Sequence, residues 1–165
     1  MIRIPHRESN PKVSELKKLH LFSGLSSQRL RFLAQNLDEV KVPKGERFMT
    51  EGHGNDAFWI ILEGKVELTV GHRIHEVLER GDVAGLPSMF TRRESTADAE
   101  AVSTVRALVA SHAQFSTLIS DAEIEIRFKA AMFDRLRDEV FQLTHGETPP
   151  KAKAGAKVRA PRVKP

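Results

Sequence analysis

The chain has 165 residues, 40% of them hydrophobic, and its 26 Lys and Arg against 22 Asp and Glu give a net charge of +4. This composition is typical of a soluble globular protein, and the length favours one domain with a core that needs no cross-links. The absence of cysteine excludes disulfides, thiolate catalysis, iron–sulfur clusters and cysteine-based zinc sites. No apolar run approaches the ~18 residues of a membrane span, and the N-terminus lacks an apolar signal segment. We therefore expect a cytoplasmic protein with no membrane partner.

The positive charge is concentrated near the C-terminus. Residues 147–165 contain six basic residues and one acid, whereas residues 1–146 contain 20 basic and 21 acidic residues. The C-terminal stretch is rich in Pro, Ala and Lys, a composition that cannot bury enough surface to offset its ordering entropy. We predict a flexible lead-in at 1–11, one domain at 12–143 and a disordered basic tail at 144–165. The tail either binds nucleic acid non-specifically through residues 147–165 or is a solvated extension without function.

The apolar residues change their spacing twice along the chain. Helical spacing begins at Val13 and continues through a second helix capped by Ser26 or Ser27. From Val40 onward, short β-type runs alternate with Gly, Pro, Asn and Asp every eight to twelve residues, as in an antiparallel sandwich or barrel. A short helix is expected at 86–90, and two further β-type runs follow it.

The helical spacing returns at His112. A longer helix, 122–143, carries apolar residues four apart at Ile124, Phe128, Met132, Leu136 and Val140. The order of helices, strands and helices predicts the α+β class.

Several motifs of catalysis and cofactor binding are absent or have the wrong context. Residues 52–57, Gly-His-Gly-Asn-Asp-Ala, fit a dinucleotide fingerprint, but the β-type run that follows favours a hairpin turn. The seven histidines are scattered without a metal-binding spacing, and no Gly-x-Ser-x-Gly elbow is present. No carboxylates pair in a way that indicates one cleft. We therefore expect a chain that is not an enzyme and has no metal site.

One ordered set of motifs is specific. It consists of Leu21-Phe-Ser-Gly-Leu, Pro43-Lys-Gly-Glu, Glu51-Gly-x5-Phe58-x-Ile-Ile-x2-Gly64-x-Val66 and Leu78-x2-Gly81-Asp82-x2-Gly85. Over residues 13–140 it resembles the cyclic nucleotide-binding domain family, which includes regulators of the cAMP receptor protein type, protein kinase A regulatory subunits and gated channels. The resemblance implies an eight-stranded antiparallel β jelly roll, flanked by N-terminal helices and a C-terminal helix.

The resemblance also implies a ligand site, the phosphate-binding cassette. In the family a Gly-Glu pair opens a short helix whose backbone N–H groups receive the cyclic phosphate, and the Glu accepts from the ribose 2′-hydroxyl. An Arg about ten residues after the Gly pairs with the phosphate. In this chain Gly85 matches the glycine, Leu86 stands in place of the Glu, and Pro87, which has no N–H, and Ser88 follow. Ser95 stands in place of the Arg.

Two arginines offer an alternative phosphate ligand. Arg92 and Arg93 precede the expected position by two or three residues, and a shorter loop would bring one of them to the phosphate. An odd shift in register, however, would turn the small side chains of 97, 99 and 101 away from the interior. The ungapped alignment is therefore favoured. The candidate ligand-binding residues are Gly85, Leu86, Pro87, Ser88, Arg92, Arg93, Ser95 and Thr96.

The sequence thus predicts a regulatory or sensor domain with weak affinity for cAMP. Its ligand would be a cyclic nucleotide, cAMP or cGMP, or a related small phosphate-containing molecule. The helix 122–143 would act as a lid, as a homodimer surface or as both, and the output would pass to a protein partner. The alternatives are an interaction module with a vestigial pocket and a nucleic-acid-associated protein that acts through its tail.

Overall fold

The computed structural model describes residues 10–145, apart from the side chains of residues 139–143 and 145. The helices are α1 (Pro11–Lys18), α2 (Ser27–Gln35), α3 (Leu86–Thr91), α4 (His112–Leu118) and α5 (Ala122–His145), with a 3₁₀ turn at His20–Phe22. The strands are β1 (Asp38–Val42), β2 (Arg47–Met49), β3 (Ala57–Glu63), β4 (Val66–Val70), β5 (Arg73–Leu78), β6 (Val83–Ala84), β7 (Asp98–Ala101) and β8 (Val105–Ser111).

The chain divides into two units, Met1–Met132 and Phe133–Pro165, and the described strands and both buried cores lie in the first. The predicted lead-in (1–11) and basic tail (144–165) lie outside the described residues, except at the ends of α1 and α5. These two predictions, and nucleic-acid binding through the tail, therefore stay predictions.

The two N-terminal helices begin at side-chain caps. The Asn10 side chain accepts from the N–H of Lys12 at 3.0 Å, and Pro11 occupies the first turn of α1, where its missing N–H costs nothing. Ser26 caps α2 by accepting from the N–H of Arg29 at 3.2 Å. The helical spacing and the capping serine predicted from the sequence are confirmed.

The eight strands of the described chain form two antiparallel sheets with the orders β1-β8-β3-β6 and β2-β7-β4-β5. The predicted α+β class is confirmed. The sheets do not close into a barrel, which corrects the barrel that the spacing of the strands allowed. Between β1 and β2 the chain crosses from one sheet to the other through Pro43-Lys-Gly45, and Pro43 has no N–H with which to extend the ladder.

Two buried clusters fill the first unit. The helical core lies between the N-terminal helices, α3, α4, α5 and one sheet, and its buried members include Leu16, Phe22, Leu33, Phe58, Ile60, Leu62, Leu86, Met89, Leu108, Phe115, Ile124 and Phe128. The inter-sheet core joins residues of both sheets: Val42, Met49, Ile61, Val66, Leu68, Leu78, Ala84, Ala99, Ala101, Val105 and Ala107. Strand β3 serves both cores because successive side chains point to opposite faces.

A group of ion pairs joins α1 to one sheet. The guanidinium of Arg106 on β8 reaches Glu39 on β1 at 2.9 Å, Glu63 on β3 at 2.9 Å and Glu15 on α1 at 3.3 Å. Arg80 also binds Glu15, at 2.7 Å. Because hydrogen bonds to Glu39 and Glu63 favour the charged guanidinium, the pKa of Arg106 is raised.

These ion pairs predict a loss of stability in acid. The hydrogen bond from Arg80 holds the pKa of Glu15 below its ordinary value of 4.5. The resulting stability is present above pH 4.5 and is lost as the pH falls through the lowered pKa. We expect Glu15→Gln to lower the free energy of unfolding at pH 7, by no more than about 1 kcal/mol because the pairs are partly exposed.

Urea unfolding at pH 7 and at pH 3 measures this effect. The difference between wild type and Glu15→Gln should shrink as the pH falls, whereas Glu46→Gln, a change at an exposed carboxylate outside these pairs, should follow the wild type at both pH values. A difference between wild type and Glu15→Gln that is the same at pH 7 and pH 3 would contradict the assignment.

Candidate functional site

The candidate site begins at a glycine that no other residue can replace without strain. Gly85 is buried, caps the N-terminus of α3 and has a φ of +92°. A Cβ at this position would lie 2.8 Å from the carbonyl oxygen of Ala57 and 2.8 Å from Nδ2 of Asn55. Gly85 therefore supplies both a left-handed conformation and a close approach of α3 to β3.

A network of hydrogen bonds joins the segment before β3 to α3 and α4, and it holds α3 close to β3. Asn55, which is 8% exposed, donates from Nδ2 to Oγ of Ser88 at 2.7 Å and to the carbonyl of Gly85 at 3.3 Å. Ser88 in turn donates to the carbonyl of Gly85 at 3.0 Å. His112, at the start of α4, donates from Nε2 to the carbonyl of Asn55 at 2.9 Å, so this nitrogen carries the proton.

Two of these residues were not found from the sequence. Asn55 is the buried residue of the polar turn that precedes β3, and its position close to a predicted strand is the one signal in the sequence that could have identified it. Nothing in the sequence marked His112, whose partner lies 57 residues earlier. The hydroxyl of Ser88, a predicted ligand residue, is engaged within the network.

Leu86 occupies the position where the family has its Glu. Its side chain is 2% exposed and belongs to the helical core together with Met89. One turn further, the ring of Phe90 packs edge-on against Phe115 of α4 at 5.0 Å. The first turn of α3 is thus anchored by apolar packing, and its second residue, Pro87, has no N–H to donate.

Ser95 occupies the position where the family has its Arg, and its polar groups are engaged. The side chain is buried and donates to the carbonyl of Ala97 at 2.7 Å. Its backbone N–H donates to the carbonyl of His53 at 2.8 Å, and its carbonyl accepts from the N–H of Gly52 at 2.9 Å. Because Asn55 holds the start of α3, the connection between β2 and β3 contacts both ends of the candidate site.

The residues that follow Ser95 alternate between buried and exposed or half-buried side chains. Ala97, Ala99 and Ala101 are 7%, 0% and 0% exposed, whereas Thr96 is exposed. The predicted small inward face is therefore confirmed, and Ser95, in the loop before β7, is buried as well.

The two alternative arginines lie between α3 and β7. Arg92 ends α3 in a left-handed conformation with a φ of +55°, and both Arg92 and Arg93 are exposed. Within the described part of the chain, neither guanidinium forms an ion pair. The structure brings together Gly85, Leu86, Pro87 and Ser88 at the start of α3, and it leaves these two arginines and Thr96 on the surface.

Among residues 10–145, no group of three or more His, Asp or Glu side chains is placed to hold a metal ion. None of the described helices combines the length and the apolar character that crossing a bilayer requires.

The family model for the cyclic nucleotide-binding domain matches residues 39–122, just over half of the chain. The chain belongs to the cyclic nucleotide-binding domain family. The match contains Gly85, α3 and Ser95, and therefore the whole candidate site. Homologues with this domain include a CRP-like cAMP-activated global transcriptional regulator from Mycobacterium tuberculosis, which is 26% identical over 130 residues. That alignment covers 74% of this chain and 57% of the regulator, so the chain spans little more than half the length of this relative.

Solved structures of the family have the same fold. The catabolite activator protein of Thermus thermophilus gives a TM-score of 0.69 at 24% identity, covering 75% of this chain and 61% of that protein. The regulatory subunit of a cAMP-independent protein kinase A from Trypanosoma brucei gives a TM-score of 0.56 at 21% identity, covering 68% of this chain and 43% of that subunit. The chain thus has the fold of a cyclic nucleotide-binding domain.

Proposed function

We propose that this domain is non-enzymatic and binds its ligand at the start of α3. The ligand is a cyclic nucleotide or a related small phosphate-containing molecule. The buried, left-handed Gly85 carries the proposal, because it holds α3 in the position that a cassette helix needs. Leu86 and Ser88 contribute first-turn N–H groups, which lack partners within a helix and attract anions. Pro87 removes one such donor.

The same site predicts weak affinity for cAMP. Leu86 offers no acceptor to a ribose hydroxyl, and the hydroxyl of Ser95 is already bonded within its own loop. A hydrogen bond to a charged group contributes about 1.5–3 kcal/mol, so the loss of two such contacts costs roughly 3–6 kcal/mol, or ~10²–10⁴ in affinity. We propose that Arg92 and Arg93 compensate for part of this lost affinity through their positive charge. Both are exposed, and neither forms an ion pair within the described chain.

A chain of aromatic contacts gives binding a route to α5. Phe90 at the end of α3 contacts Phe115 of α4 at 5.0 Å, and Phe115 stacks on Phe128 of α5 at 5.9 Å. Phe128 also meets Phe58 of β3 at 5.1 Å. We propose that a ligand-driven shift of α3 changes the packing of Phe115 and so the position of the first turns of α5, since packed cores do not deform continuously.

The output surface proposed for the domain is α5. In the first unit, Ile126 is 65% exposed on this helix, although Ile124 and Phe128 are buried. In the second unit, Phe133 is 61% exposed and Leu136 is 44% exposed. These exposed side chains support the proposal that residues 122–143 form a homodimer surface or a docking surface for another protein.

A second candidate function is an interaction module with a vestigial pocket. The buried state of Leu86 and Ser95 favours it, because both side chains are absorbed into the packing and hydrogen bonding of the domain itself. The two candidates differ in one measurable property, the response of the folded domain to small ligands.

A thermal-shift screen against cAMP, cGMP and cyclic dinucleotides tests the proposed function. A ligand at 100 times its Kd stabilises the native state by about 2.7 kcal/mol, or roughly 5–10 °C in Tm for a chain of this size. We expect a shift with at least one of these compounds at millimolar concentration, and a smaller shift in the Arg92→Ala, Arg93→Ala double variant. No shift with any of them would favour the vestigial module.

A further inference from the structure

Trp59 lies on the inward face of β3, next to the candidate site. Its neighbours Phe58 and Ile60 belong to the helical core, whereas Trp59 packs against the inter-sheet core. In the sheet, Trp59 is paired with Ala84 of β6, the residue that comes directly before Gly85. Since paired residues project to the same side of a sheet, the indole and Ala84 lie on one face beside the start of α3.

The indole has an unused hydrogen-bond donor. Nε1 of Trp59 is buried, and it has no hydrogen-bond partner among the described residues. Buried polar groups are almost always paired, because an unpaired donor loses its bond to water and gains nothing in return. The ring of Phe48 on β2 lies 4.5 Å from the Trp59 ring at an angle of 47°, so the donor is set in an aromatic surface.

The inter-sheet core against which this aromatic pair packs contains several small residues. Both sheets contribute alanines to the inter-sheet core, namely Ala84, Ala99, Ala101 and Ala107. Trp59 and Phe48 are each only partly buried, so the pair is not sealed within that core. A flat apolar ring with a hydrogen-bond acceptor at its edge complements such a surface, since the ring stacks on Phe48 while the acceptor takes the proton that the indole presents in its own plane.

We propose that Trp59 and Phe48 form a recognition surface for a purine ring, and that the ligand of this domain is held mainly through its base. This inference rests on the proposed function, because it names the part of the ligand that the same site recognises. A purine carries ring-nitrogen acceptors on a planar π-system, and stacking on aromatic side chains is a general way of binding bases. With Leu86 and Ser95 in place of the two polar anchors, the ring supplies the binding that the ribose and phosphate do not.

The sequence makes a direct test available. Trp59 is the one tryptophan of the chain, and the chain has no tyrosine, so intrinsic fluorescence and the indole N–H resonance both report on this side chain alone. The titrants are cAMP, adenosine, which has the base without the phosphate, and ribose 5-phosphate, which has the phosphate without the base. We expect cAMP and adenosine both to move the indole resonance downfield, with cAMP no more than about tenfold tighter through the charge of Arg92 and Arg93, and ribose 5-phosphate to leave it unmoved.

Two variants separate the donor from the ring surface. Trp59→Phe keeps an aromatic ring and removes the N–H, and it should weaken adenosine binding about tenfold in calorimetry, the effect of one hydrogen bond. Phe48→Leu should weaken it to a similar degree through lost stacking. Ile61→Val, which trims the next inward residue of β3, controls for general loosening of the core and should bind as the wild type does.

The outcomes distinguish this inference from the function on which it rests. If a cyclic nucleotide raises Tm while the indole resonance of the wild type stays fixed, or if Trp59→Phe binds adenosine as tightly as the wild type, the base-recognition surface is wrong and the proposed function stands. If cAMP, cGMP, cyclic dinucleotides and adenosine change neither Tm nor the indole resonance, both are wrong.

Discussion

The double substitution Leu86→Glu and Ser95→Arg is expected to raise the affinity for cAMP at least tenfold above that of the wild-type chain. The Glu would accept from the ribose 2′-hydroxyl at the start of α3, and the Arg would supply a charge-assisted bond to the phosphate. Ser95 is buried in the loop that precedes β7, as Ala97 is, so an Arg there starts from the interior of the domain. Pro87 still lacks an N–H, so the gain should stay below the full ~10²–10⁴.

The two single substitutions together should improve the free energy of cAMP binding by less than the double substitution does. A Glu at position 86 alone places an unpaired carboxylate in a site that is 2% exposed, and we expect it to lower the free energy of unfolding by about 3–5 kcal/mol. An Arg at position 95 alone leaves the ribose unheld. Coupling between neighbouring groups of one site is commonly ~0.5–3 kcal/mol, so a double-mutant cycle of cAMP affinity resolves it.

The matched control moves the arginine by one residue. Leu86→Glu with Thr96→Arg adds the same charges, but position 96, in the loop before β7, is exposed to solvent. This control should bind cAMP no better than the wild type. Equal gains in cAMP affinity in the control and in the double variant would show that an added positive charge attracts the phosphate from either position. That result would contradict the ungapped alignment at Ser95.

Gly85→Ala is expected to lower the free energy of unfolding by about 3–4 kcal/mol. The left-handed conformation of Gly85 costs an L-residue roughly 1–2 kcal/mol, and the added Cβ would meet a backbone oxygen of β3 at 2.8 Å. Neither Ala57 nor Asn55 can move away from the added Cβ without a loss of stability, because Ala57 is held in the sheet and Asn55 is held by its hydrogen bonds. Urea unfolding followed by circular dichroism measures the change.

Gly45→Ala is the control for this substitution. Gly45 has a similar φ of +89°, but a Cβ there would meet nothing within 4 Å, so only the cost of the backbone conformation, about 1–2 kcal/mol, remains. Equal losses at both glycines would contradict the close packing of α3 on β3. Of these two variants, only Gly85→Ala should also weaken ligand binding, because only this glycine positions the cassette helix.

Patterns within a short stretch of sequence predicted most of the fold. Periodicity and capping residues located α2 and α3, and the alternation of small and polar residues gave the inward face of Ala97, Ala99 and Ala101. Local patterns cannot show how strands pair. Strand β6, only two residues long, was therefore missed, and the order of the strands within the two sheets was not predicted.

The candidate site was predicted only in part, for a similar reason. The motif spacing located Gly85, Leu86 and Ser95, because each belongs to one segment with a recognisable order. The contributions of Asn55 and His112 were not predicted, since their hydrogen-bond partners lie 33 and 57 residues away along the chain. The unpaired donor of Trp59 is likewise a property of three-dimensional packing, and no sequence pattern reports it.

A calorimetric titration of the wild-type domain with cAMP tests most directly whether this family member lacks the usual polar anchors. With both anchors replaced, a site of ordinary micromolar affinity should bind cAMP with a Kd of roughly 100 µM or weaker. A Kd at or below the low micromolar range would contradict that conclusion, and would assign the phosphate contact to Arg92 or Arg93, which single alanine substitutions would then identify.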